Sequence, residues 1–76
     1  MKTYDSIYTA RHAGLASAAD VGKMLGITRQ AAHKATRRDG FPAPVARYHR
    51  GGDRYGVLYQ RRAVVAWRES RRKKVA

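Results

Sequence analysis

Leu25-Gly26-Ile27-Thr28 ends one helix and begins another within three linking residues, and no other feature of this chain limits its fold so strongly. Gly26 can take the left-handed conformation that closes a helix C-terminus, and Thr28 can accept an amide from the first turn of the helix that follows. Upstream, Ser17-Ala18-Ala19-Asp20 puts a hydroxyl at an N-cap and a carboxylate three positions later, a variant of the capping box that satisfies the orphan amides of a helix start. Ala18, Val21 and Leu25 then recur at spacings of three and four with Met24 beside them, a narrow apolar stripe for a short first helix. The second helix is expected over residues 29–38. Ala32 and Ala35 face the first helix there, and their small side chains let the two approach closely. Arg29, Gln30, His33, Lys34 and Arg37 occupy the opposite, polar face.

Gly40 and then Phe41-Pro42-Ala43-Pro44 end this second helix, because proline lacks an amide donor and biases the residue before it toward extended geometry. Residues 45–49 and 55–59 read as short strands around Arg50-Gly51-Gly52-Asp53-Arg54, whose paired glycines tolerate the positive φ of a hairpin loop. A third helix is expected over residues 61–72, where Ala63, Val64 and Trp67 share a face that closes over the first two helices. Residues 73–76 read as a basic tail that frays. Residues 1–14 stay open between two readings: Tyr4, Ile7 and Tyr8 would share one helical face, and the same residue types suit a short strand. The expected architecture is mainly α with a small β-hairpin wing, a winged helix-turn-helix domain over residues 15–72.

Composition then narrows the partner. Seventeen Lys and Arg stand against five Asp and Glu, a formal net charge of +12, so the folded surface carries a positive field that selects a polyanion. A chain of 76 residues allows one modest core and no deep catalytic cleft. Cysteine is absent, which removes disulfides and thiolate metal sites and fits a reducing compartment. No segment approaches the roughly 18 apolar residues of a membrane span, and the start Met1-Lys2-Thr3-Tyr4-Asp5 lacks the apolar stretch of a signal peptide. The expected location is the cytoplasm of a bacterial host cell, on DNA.

Taken together, Ala19-Asp20-Val21, Leu25-Gly26-Ile27-Thr28-Arg29-Gln30-Ala31-Ala32, Phe41-Pro42-Ala43-Pro44-Val45 and Arg62-Ala63-Val64-Val65-Ala66-Trp67 give this chain an order and spacing that resemble the MerR-related winged helix-turn-helix proteins of the AlpA and phage excisionase type. The resemblance covers about residues 15–70. It implies a recognition helix in the major groove, a wing that grips the minor groove or the backbone, and a role in prophage excision or transcriptional control. The family has larger residues where this chain has Ala31, Ala32 and His33, and Trp where it has Tyr59.

Candidate contacts follow from the elements. Thr28, Arg29, Gln30, His33, Lys34 and Arg37 form the recognition helix, and Arg29 and Gln30 in its first turn can make the paired hydrogen bonds that guanine and adenine edges offer. Arg47, His49, Arg50 and Arg54 surround the wing; charge there also protects an edge strand from pairing, but the net charge far exceeds what solubility needs. Ser17 and Arg38 are assigned to the phosphate backbone. Val65 lies off the Val64 and Trp67 face, and with Val75 it marks a candidate contact with a second protomer. His12, His33 and His49 are scattered over different elements without metal-ligand spacing, so no metal or cofactor is expected. The five tyrosines and many arginines invite a phosphodiester-cleaving recombinase, but the chain is too short for that constellation. The expected function is noncatalytic binding of double-stranded DNA by a phage accessory factor that directs excision, with a phage integrase and further copies of itself as partners and no membrane or small-molecule ligand. A transcription regulator without a recombination role and the DNA-recognition module of a packaging terminase small subunit are the alternatives. An RNA-binding ribosomal-type protein would explain the charge but not the ordered helices and wing.

Overall fold

A computed structural model describes residues 1–75, with side chains through residue 71. Among the described residues the chain forms four strands and four helices in the order β1 (Lys2–Tyr4), α1 (Ile7–His12), β2 (Leu15–Ala16), α2 (Ala18–Leu25), α3 (Arg29–Thr36), β3 (Ala46–Gly51), β4 (Arg54–Gln60) and α4 (Arg61–Val75). The strands make one mixed sheet in the order β1-β3-β4-β2, parallel between β1 and β3 and antiparallel elsewhere. The expectation of a mainly α chain with an appended wing is therefore corrected: the fold is α/β, and the hairpin is the middle of a four-stranded sheet. The two edge strands are only three and two residues long. Strands so short lack the alternation that marks a strand in sequence, and β1 is defined by its pairing with β3, Lys2↔Ala46, Thr3↔Arg47 and Tyr4↔Tyr48.

Both readings of the first residues are realised in succession. Lys2–Tyr4 is a strand, and Ser6 then caps α1, its Oγ accepting from the Thr9 amide at 3.2 Å. The capping box at α2 forms as expected: the Asp20 amide donates to Ser17 Oγ and the Ser17 amide to Asp20 Oδ2, both at 3.2 Å. Gly26 closes α2 at φ +68°, and Thr28 Oγ1 accepts from the Ala31 amide at 3.1 Å. Ala32 and Ala35 are buried against α2. Gly22 is the matching small residue on α2, since a Cβ there would stand 3.3 Å from the Ile27 carbonyl oxygen and 3.4 Å from Ala32 Cβ. α3 stops at Thr36, short of residue 38, where the Thr36 hydroxyl bonds the His33 carbonyl and the Arg37 and Arg38 amides tighten the last turn. α4 runs on to Val75, so the expected fraying point at residue 73 lies inside a helix; the side chain of Val75 and residue 76 lie outside the described residues.

β4 is buried on both faces near its end, because successive strand residues point to opposite sides of a sheet. Leu58 joins Ala10, Leu15 and Ala46 beneath α1, where Tyr4, Ile7 and Tyr48 complete the cluster. Its neighbour Tyr59 points the other way, into Ala16, Val21 and Val64 under α2 and α4, with Phe41 edge-on to both Tyr59 (5.3 Å) and Trp67 (4.9 Å). Arg68 of α4 donates through Nη1 to the Met24 carbonyl at 2.8 Å, satisfying a C-terminal carbonyl of α2. Across the molecule, Arg11 of α1 grips the Asp20 carboxylate with two hydrogen bonds of 2.9 and 3.1 Å. The two helices on either side of β2 are thus tied by a side-chain clamp.

The hairpin carries a small device of its own. Tyr48 pairs with Gly56, and its ring lies over the glycine so closely that a Cβ there would meet the Tyr48 Cζ at 2.6 Å. Gly56→Ala should therefore lose about 1–2 kcal/mol, the gain in strand rigidity being outweighed by expulsion of the ring. Chemical denaturation would read this, and a variant as stable as the parent would show that the ring moves aside without loss. At the tip, Gly52 stands at φ +55° ahead of Asp53, as a two-residue hairpin turn with glycine first requires.

Candidate nucleic-acid interface

Strand β2 pairs with Tyr59 and Gln60, and among the described residues no strand pairs with the outer edge of β4 at residues 54–57. A cleft of about 260 Å³ runs along this edge, with the first turn of α2 (Ser17, Ala18, Ala19) at its floor. Arg29 and His33 of α3 form one wall, and Arg50, Tyr55 and Val57 of the hairpin form the other, Tyr48 and Gly56 lying between. Arg50 reaches the cleft from a bulge: the register steps from His49↔Tyr55 to Gly51↔Arg54 and leaves Arg50 as the extra residue, a geometry that re-aims a side chain.

The α3 residues divide by helical position. Arg29 and His33 border the cleft; Gln30, Lys34 and Arg37 follow on the outer face, all exposed. On the hairpin, Arg47 and His49 share a sheet face with Tyr55, which is 44% exposed. The Arg47 guanidinium stacks 4.6 Å from the Tyr55 ring centroid while its Nε donates to Thr3 Oγ1 at 2.9 Å, and His49 sits 4.6 Å from the same ring. These contacts hold two cationic or polar heads in place before any ligand arrives. Arg54 stands exposed at the hairpin tip.

Other expected residues fall elsewhere. Ser17 is at the cleft floor but only 5% exposed, with its hydroxyl engaged in capping, so the first turn of α2 and not the Ser17 side chain is what faces an anion there. Thr28 is likewise occupied as a cap. Arg38 lies on the far flank of α3, beside Trp67 and Arg71. Val65 is 37% exposed and borders a hollow with Leu15 and Gln60. Tyr48 and Tyr55 are not among the expected contacts, although Tyr48 between Arg47 and His49, and Tyr55 beside Arg54, are aromatic residues set among the basic residues of the hairpin.

Asp20 is the one carboxylate close to this region with a resolved displacement. Burial pushes its pKa up, but the hydrogen bonds from Arg11 and the Ser17 amide, with the Arg11 charge, outweigh that and hold it below its ordinary value of 3.8. Arg11 is correspondingly raised by its hydrogen bond and charge contact with Asp20. Among the described residues no three His, Cys, Asp or Glu side chains stand together as a metal site, and no helix is long and apolar enough to cross a membrane. What the interface offers chemically is a guanidinium on each of two walls, Arg29 and Arg50, with the Tyr55 ring and a helix N-terminal turn beside them. Comparison with known proteins finds no matching family model, no matching curated protein and no matching solved structure.

Proposed function

We propose that this protein binds double-stranded DNA without catalysis, laying the outer face of α3 in the major groove while the hairpin holds the neighbouring backbone or minor groove. The observation that carries this is the convergence of Arg29 and His33 from α3 with Arg50 and Tyr55 from the hairpin on one cleft. A sugar-phosphate strand passing through that cleft would meet cations on both sides and the positive end of α2 below. Gln30, Lys34 and Arg37 would then face the bases and flanking phosphates. The role we attach to this binding is that of a phage or prophage accessory factor, acting in the bacterial cytoplasm, that bends DNA for an integrase in excision. Repression without any effect on excision would assign a transcription regulator, and dependence on a large terminase would assign a packaging module.

Binding should be strongly electrostatic. Neutralisation of about five to eight phosphates by α3 and the hairpin implies a log-log salt slope of roughly −4 to −7. Fluorescence anisotropy with a labelled duplex from the gene's own neighbourhood, titrated at several salt concentrations, measures it. A slope near zero would contradict the proposal.

A further inference from the structure

A second concavity, about 380 Å³, lies between α3 and α4 on the opposite flank of α3 from the cleft. Its floor is apolar, formed by Leu25, Ile27, Ala31 and Trp67, and Ile27 in the helix-helix turn is 38% exposed. Arg38 and Arg71 stand at its rim, and the Arg71 guanidinium lies 5.0 Å from the Trp67 ring centroid. Arg68 is built into the wall, bonded to the Met24 carbonyl and 3.4 Å from Glu69.

The chemistry excludes two occupants. Nucleic acid at the cleft meets Arg29 and His33, whereas Ala31, Ala35 and Arg38 project from the other side of the helix, with Gln30, Lys34 and Arg37 between the two flanks. A duplex on that middle face would leave the groove open, and a phosphate strand gains nothing from an apolar floor. A second copy of this chain is the wrong charge. Its acidic residues are Asp5, Asp20, Asp39, Asp53 and Glu69, the closest two being Asp39 and Asp53, so no segment of it can present an apolar side chain flanked by carboxylates.

We propose that the groove docks an acidic amphipathic segment of a partner protein, whose apolar side chains fill the floor while flanking Asp or Glu residues meet Arg38 and Arg71. This is the helix-in-groove mode of recognition, with the cationic rim setting partner sign and orientation. Because the groove and the α3 outer face are separate, the partner is held beside DNA and not in competition with it.

Trp67 is the sole tryptophan, so its emission reports the groove directly. The probe is a tryptophan-free synthetic peptide about fifteen residues long, with leucines at helical spacing and glutamates elsewhere; one control carries Gln for every Glu and another Ala for every Leu. The acidic leucine peptide should give a saturable blue shift of Trp67 emission and move amide resonances of Ile27 and Ala31 but not those of Tyr55 and Val57. Each control should bind at least about tenfold more weakly, as should the variant Arg71→Glu, with Ile27→Gln as a second variant that removes floor and leaves the cations. DNA affinity of both variants should stay within about twofold of the parent, so that a failure here is distinguishable from a failure of DNA binding. Equal binding of the glutamine control, no effect of either variant, no groove signal at millimolar peptide, or a Trp67 shift caused by duplex DNA alone would each overturn the proposal.

Discussion

Asp20→Ala should lose about 2–4 kcal/mol of stability at neutral pH. The carboxylate side chain is 8% exposed and accepts three hydrogen bonds: Arg11 Nε, Arg11 Nη2 and the Ser17 amide. Alanine leaves the Ser17 amide unsatisfied in a buried position, dissolves half of the capping box and cuts the clamp between α1 and α2. Arg11, 39% exposed on its side chain, regains water, which keeps the loss below that of a fully buried pair. A domain of this size holds only about 4–11 kcal/mol in total, so the melting temperature should fall by roughly 10–20 °C. Ser17→Ala should cost about 1 kcal/mol by comparison, since Asp20 keeps Arg11. A melting temperature of Asp20→Ala within a few degrees of the parent would show that α2 is anchored by packing alone.

The same residue sets an acid limit. Its carboxyl is depressed in the folded protein, so its contribution to stability is fully present above the unfolded value near 3.8 and is lost as pH falls through the lower folded value. Denaturation followed from pH 7 downward should therefore steepen below about pH 4, and Asp20→Asn should lose that acid dependence while being less stable at pH 7. An Asn variant that keeps the full acid transition would move the cause to other carboxylates.

Gln30→Ala should weaken binding to the cognate site by about 1–3 kcal/mol, roughly 5- to 150-fold, and leave random DNA almost untouched. Gln30 lies on the exposed outer face of α3 with a side-chain amide able to accept from N6 and donate to N7 on the major-groove edge of an adenine, and its neighbour Arg29 belongs to the cleft wall. Arg54→Ala, at the hairpin tip, should weaken cognate and random duplexes alike and reduce the salt slope by about one, because a phosphate contact carries no sequence information. Competition binding with footprinted and scrambled duplexes separates the two. Equal losses on both sequences for Gln30→Ala would remove it from base reading.

Local signals in the chain were legible and long-range ones were not. Ser17 with Asp20, Gly26 and Thr28 each act within four residues, and each performs the expected capping. The Gly-Gly turn likewise predicts its hairpin. The error of fold class arose at β1 and β2, which are strands only because β3 and β4 offer edges to pair with. Leu15–Ala16 read on its own is two apolar residues before a cap. Arg11, the partner of Asp20, sat in the segment that gave no clear pattern, since a clamp between elements leaves no periodicity. At the interface, helix position predicted which side chains of α3 lie outward, but the cleft needed the bulge at Arg50 and the ring of Tyr48 over Gly56, neither of which a linear pattern encodes.

The parallel pairing of β1 with β3 also sets a clock. Lys2 cannot find Ala46 until the chain between them has been made, and at 5–20 residues per second that wait is about 2–9 seconds on the ribosome. For those seconds Tyr4, Ile7 and Ala10 have no sheet to cover, because Leu58, the centre of their cluster, comes later still. Strand β1 thus waits for β3, and the apolar side of α1 waits for Leu58, so the pieces earliest in this sequence are among the last to settle.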